Sequence, residues 1–172
     1  MSHKSEVVLD TKAPELDIQT GLARADRKQL AEHLNKVLAS TYTLYAKTHV
    51  YHWNVAGPLF YSVHKLTDDQ YHDLASAVDA IAERIRAIGF AARGGFDAFR
   101  DNGCVDDVKE SVISARNMVD ELASDHQKIA HQLREAVTEA DKVGDVYTAD
   151  LLTSRIGAHE EAAWMLEAIL VR

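Results

Sequence analysis

The stretch YHWNVAGPLFYSVHKLTDD, Tyr51 to Asp69, places His52 and His64 on either side of a Gly57-Pro58 break. Asp68 follows His64 by one helical turn, and Asp79 and Glu83 come later in the same uninterrupted segment. Imidazole nitrogen mixed with carboxylate oxygen is a hard-to-borderline donor set, suited to iron, manganese or zinc. On a helix turning ~100° per residue, His64, Asp68, His72, Ala75, Asp79 and Glu83 share one sector. That sector adjoins the apolar stripe of Tyr71, Leu74, Val78, Ile81 and Ile85. Acids on a surface helix most often form a solvated face, so chemistry here needs a further argument.

Distance supplies it. At ~1.5 Å rise per residue, His64 and Glu83 stand ~28 Å apart on a straight helix, and Asp68 and Asp79 ~16 Å apart. Metal–ligand bonds are only ~2 Å long, so the two clusters cannot share an ion within one chain. A second copy of the helix, antiparallel across a two-fold axis between Asp73 and Leu74, removes the obstacle. The position numbers of His64 and Glu83, of Asp68 and Asp79, and of His72 and Ala75 have one common sum, so each residue then faces the other member of its pair. Such an isologous contact would build two equivalent sites, each drawing His64 and Asp68 from one subunit and Asp79 and Glu83 from its mate. His52, across the Gly-Pro turn, adds a nitrogen. Acids facing acids across an interface are costly without a cation between them. The usual intrachain di-iron bundle site needs Glu-x-x-His, and no histidine here has a glutamate three residues before it.

Long helices must carry this arrangement, and the apolar period provides four. The first runs through Leu30, Leu34, Val37, Leu38, Thr41, Leu44, Tyr45 and Thr48 to about Asn54. The second carries Phe60, Val63 and the stripe above as far as Ile88, and is expected to end before Gly94-Gly95. The connector from Phe96 to Cys104 has room for a short helix. The third is marked by Val108, Val112, Ala115, Val119, Leu122, Ile129, Leu133 and Val137, stopping near Gly144. The fourth, opened by Asp145 or Thr148, runs through Leu152, Ile156, Ala163, Leu166 and Leu170. The expected fold is all-α, a four-helix bundle with its long crossover between the second and third helices. Residues 1–21 read as a flexible arm and 22–172 as one bundle domain.

Composition narrows the partners. The 172 residues carry a formal net charge of −8, which attracts cations and disfavours nucleic acid or an anionic membrane. Cys104 is the single cysteine, so no internal disulfide forms and a reducing cytoplasm is expected. No apolar run approaches the ~18 residues that cross a membrane.

The segments HWNVAGPLFYSVH, DAIAERIRAIG and TADLLTSRIGAHEEAAWMLEAIL resemble the Dps mini-ferritins, the DNA-binding proteins from starved cells. The resemblance runs from about Leu22 to the C-terminus. It implies a ferritin-like four-helix subunit in a hollow homododecamer, with di-iron ferroxidase centres at the two-fold interfaces. Residue by residue it implies His52, His64 and Asp68 from one subunit and Asp79 and Glu83 from the other as iron ligands and catalytic residues. Fe(II) and, preferentially, hydrogen peroxide are the implied substrates, with oxygen the alternative oxidant and a ferric mineral inside the cavity the product. Zinc or manganese would suit the same donors. Glu135, Glu139, Asp141 and Asp145 would line three-fold pores.

Lysine-rich tails, by which many family members bind DNA, are missing. Residues 1–20 hold Lys4 and Lys12 against Glu6, Asp10, Glu15 and Asp17, two basic against four acidic, a net −2. Direct DNA binding is therefore not expected, and nucleoid association would be indirect. A DNA-compacting protein and a structural oligomer holding another metal are the competing readings. His126 and His159 read as core histidines. His49 reads either as an accessory ligand or as packing against Tyr45. Trp53, Tyr42, Tyr45 and Tyr51 are expected around the site as core aromatics that could also donate an electron. Cys104 reads as an inert residue of the connector.

Overall fold

The computed structural model describes residues 15, 16, 18–110 and 113–171. Most of the proposed arm, residues 1–14 with Asp17, lies outside them, as does Val112. Five helices and no strand occur among the described residues: α1 Arg24–Asn54, α2 Phe60–Ala87, α3 Phe96–Asn102, α4 Ala115–Val143 and α5 Val146–Leu170. The four long helices form the bundle. α1 packs along α2 and against α4, α4 lies along α5, and the short α3 rides on α1. Leu30, Leu34, Leu44, Leu74, Ile81, Ile85, Met118, Leu122, Ile129 and Leu133 are fully buried between them.

Local chemistry explains the helix ends. Ser114 caps α4, its hydroxyl accepting from the Asn117 amide. Gly144 stops the helix in the left-handed conformation, φ 73°, its amide donating to the carbonyls of Ala140 and Asp141. Asp145 then caps α5 through the Thr148 amide, so one glycine and one aspartate make the whole turn.

One end agrees with the sequence expectation and one differs. α2 stops at Ala87, before Gly94-Gly95 as expected, where Gly89 takes φ 101°. A Cβ there would sit 2.6 Å from the Leu16 carbonyl oxygen and 2.8 Å from Arg27 Nη1. The close approach is used: Leu16 N–H donates to Gly89 O at 2.9 Å, and Arg27 Nη1 donates to Ile88 O at 2.8 Å. α4 begins at Ala115 rather than at Val108, which packs from the connector instead. The crossover between α2 and α4 is held to α1 by Phe99 stacked on Tyr42 at 4.4 Å and by the Cys104 amide donating to Ser40 Oγ. No helix among the described residues is long and apolar enough to cross a membrane.

Candidate metal centre at the tip of the first helical hairpin

Gly57, at φ 88°, and Pro58 turn the chain between α1 and α2, so the two helices run antiparallel. His52 therefore lies in the last turn of α1 beside His64 in the second turn of α2. Their rings stack with centroids 3.8 Å apart and planes 18° from parallel. Each ring is tied to the other's main chain: His52 Nδ1 lies 3.0 Å from His64 O, and His64 Nδ1 lies 2.9 Å from His52 O. A carbonyl oxygen only accepts, so both Nδ1 atoms carry the proton. In the neutral rings Nε2 then holds the lone pair, the tautomer a metal-binding histidine needs. His52 O belongs to the last turn of α1, which has no helical partner of its own, so His64 also satisfies a helix end.

Asp68 stands one turn beyond His64 and is partly exposed. The Tyr71 hydroxyl donates to its Oδ1 at 3.0 Å, and Lys65 approaches Oδ2 at 3.5 Å. The Tyr71 hydrogen bond above all, helped by the charges of Lys65 and His72, holds the Asp68 carboxyl below its ordinary value against the opposing effect of desolvation. The group is thus ionised, as a cation ligand must be. Phe60 stacks on His64 at 5.0 Å, while Trp53, Phe60 and Tyr61 are exposed around the same tip, Trp53 by 62%. Asp79 and Glu83 lie further along the α2 face, exposed to solvent. No three histidine, cysteine, aspartate or glutamate side chains among the described residues converge where they could hold an ion. One chain thus carries the stacked His52 and His64 with Asp68 one turn further on, and a separate pair of acids along the same helix.

A family model described as a ferritin-like domain matches residues 31–172. The chain is 38% identical over 154 residues to a low temperature-induced protein of Nostoc, covering 89% of this chain and 86% of that one. It is 32% identical to DNA protection during starvation protein 2 of Bacillus anthracis, covering 83% and 97% of the two chains. Among solved structures, the Dps protein of Vibrio cholerae superposes with a TM-score of 0.84 at 28% identity, over 94% of this chain and 99% of the other. DpsC of Streptomyces coelicolor gives 0.88 at 27% identity, over 95% and 96%.

The chain belongs to the Dps mini-ferritins.

Several side chains of this Dps subunit sit elsewhere than the sequence suggested. Tyr51 is buried on the far side of α1, donating to Glu121 of α4 at 2.5 Å. Its hydroxyl is pushed up in pKa by burial and by Glu121, and it does not belong to the site. Trp53 is not a core aromatic in the subunit but a surface ring. His49 packs less on Tyr45, at 5.8 Å, than on Tyr71, at 4.2 Å and 18°, and Trp53, at 4.3 Å.

Asp145 is removed from the pore-lining set. It is buried, capping α5 and accepting two bonds from Arg84 Nη2 at 2.7 and 2.6 Å. Burial opposes its ionisation, yet Arg84 and Thr148 hold its carboxyl below the ordinary value. Glu139 is engaged by Gln29 and Lys142, while Glu135 and Asp141 are exposed. Tyr71, the direct partner of Asp68, was read from its period as an apolar position. Its spacing of three from Asp68 was the available signal.

Proposed function

We propose that this Dps subunit assembles into a hollow homododecamer that oxidises Fe(II), preferentially with hydrogen peroxide, and stores the ferric product. Each centre takes His52, His64 and Asp68 from one subunit and Asp79 and Glu83 from the next, with iron as substrate. The observation that carries this reading is the reciprocal His52–His64 bonding, which leaves two Nε2 lone pairs at a surface that one chain does not complete. Exposed Trp53, Phe60 and Tyr61 beside it supply the apolar contact an isologous interface requires.

Iron is favoured over zinc or manganese because the Vibrio cholerae relative is described as one of the ferritin-like diiron-carboxylate proteins. Two Fe(II) ions held together each give one electron to the same hydrogen peroxide. The O–O bond breaks, two protons are taken up and two waters leave, so no hydroxyl radical is released. The carboxylates stabilise the charge gained by iron, and the neutral imidazoles hold the ions without adding charge. Protection of DNA in the cytoplasm would then follow from removing iron and peroxide, without contact between the protein and phosphate.

The test adds Fe(II) anaerobically to metal-free protein, then half an equivalent of hydrogen peroxide, and follows ferric absorbance beside an Asp79→Ala/Glu83→Ala variant. Fast oxidation by the native protein alone is expected. Equal, slow oxidation by both would overturn the reading.

A further inference from the structure

A cavity of about 250 Å³ opens between α2, α4 and α5, lined by none of the residues assigned to the interfacial centre, and among its walls are Asp69, Gln70, Asp73, His126, Glu161 and Met165. Two residues at its wall are more than nine-tenths buried, His126 with 2% and Gln70 with 7% exposure. His126 Nε2 and both amide atoms of Gln70 have no hydrogen-bond partner among the described residues. An orphaned buried polar atom is costly, so three such atoms on two residues that line one cavity are expensive unless something partners them.

The donor chemistry restricts the occupant. His126 Nδ1 lies 2.9 Å from Nδ1 of His159, so one ring donates and the other accepts. When His126 donates, its Nε2 carries a lone pair at the cavity, and His159 fixes its ring as the outer partner of a metal-binding histidine does. Asp69, Asp73 and Glu161 bring three negative charges, of which Arg155 offsets one through its two bonds to Asp73 at 2.9 and 2.6 Å. An anion is therefore repelled, and a cation is attracted.

We propose that this cavity is a second, intrasubunit site for a divalent transition-metal cation, with His126 Nε2 and Gln70 Oε1 as its fixed donors and Asp69 and Glu161 as carboxylates that turn inward. Nitrogen with oxygen donors suits cobalt, zinc or ferrous iron over magnesium or calcium. The carboxylates do not yet converge, since no three acidic, histidine or cysteine side chains form a ready cluster. Both are exposed and have no ion-pair partner among the described residues, so rotation breaks no contact. The site shares no donor with the interfacial centre, and every donor belongs to one chain.

Cobalt(II) is the probe, added to assembled protein carrying Asp68→Ala/Asp79→Ala/Glu83→Ala to disable the interfacial centre. The readouts are visible d–d absorption and equilibrium dialysis, compared with and without His126→Leu. Loss of one cobalt per subunit on adding His126→Leu, with an affinity drop of 100-fold or more, is expected. Identical absorption and stoichiometry in the two proteins would overturn the site and leave a cavity that holds solvent. If the His126→Leu chain does not assemble, Asp69→Asn/Glu161→Gln decides in its place, being confined to the exposed rim. A tenfold or greater weakening is then expected, and unchanged affinity overturns the proposal.

Discussion

His52 and His64 each present Nδ1 to the other's backbone carbonyl, at 3.0 and 2.9 Å, across a turn of five residues. The pair is a small self-orienting device. His64 cannot rotate without freeing the His52 carbonyl, and the pairing favours for each ring the neutral tautomer that binds metal.

A centre divided between subunits makes an unusual prediction for mixtures. His64→Ala and Glu83→Ala protomers are each expected to lose fast peroxide-driven iron oxidation. When they are unfolded together and reassembled at random, half of the two-fold pairs are mixed, and each mixed pair regains one intact site. About one quarter of native activity should return. Stopped-flow ferric absorbance on the reassembled protein measures it, and no recovery would mean that each site draws both residues from a single chain.

Lys47 and Asp125 form a buried ion pair, Nζ to Oδ2 2.7 Å, with side chains only 4% and 3% exposed. Asp125 also accepts from Lys128 Nζ at 2.8 Å, so it is Lys47 that is stranded in the core when its partner is removed. Asp125→Leu should destabilise by about 3 kcal/mol or more, while Lys47→Met/Asp125→Leu should cost distinctly less. Denaturant unfolding of the two variants compares them. Equal losses would mean that the pair itself, and not the stranded ammonium, sets the stability.

The His126–His159 pair should make the fold acid-sensitive. Burial, then the Arg155 charge, lower the His126 pKa from 6.5 to about 4, against smaller opposing effects of Asp125 and Asp73. Burial, His126 and Arg155 lower that of His159. Below pH 6.5 the unfolded chain binds protons that the folded core refuses, so stability falls as pH drops from 6.5 toward 4. From His126 alone the loss is about 3 kcal/mol. A His126→Leu/His159→Leu chain should show a flatter stability profile over that window in urea titrations. An unchanged profile would assign the acid sensitivity elsewhere.

Direct DNA binding should be negligible at physiological salt, since the chain is −8 overall and the first twenty residues are −2, two lysines against four acids. Electrophoretic mobility of plasmid DNA with the assembled protein provides the check. A tight, salt-sensitive shift would contradict it.

Four helices, their order, the crossover with its short helix and the acid–histidine stripe were legible in the sequence, because they depend on a 3.6-residue period and on local breaks. Membership of the ferritin-like family was legible for the same reason: HWNVAGPLFYSVH is a contiguous signature. Helix ends were legible only in part. α2 stops before Gly94-Gly95 as its pattern suggests, and the contacts that Gly89 admits from Leu16 and Arg27 fix the place, whereas the start of α4 at Ala115 instead of Val108 was not visible in the apolar period.

Pairings between helices lay beyond the sequence altogether. Lys47 with Asp125, Arg84 with Asp145, and His126 with His159 are separated by 78, 61 and 33 positions. Each residue alone reads as an ordinary surface or core position. Periodicity tells which face of a helix is turned inward, but the residue it meets there depends on how the helices slide and rotate against one another. That relative placement is set by the packing of the whole core, and only the tertiary structure decided it.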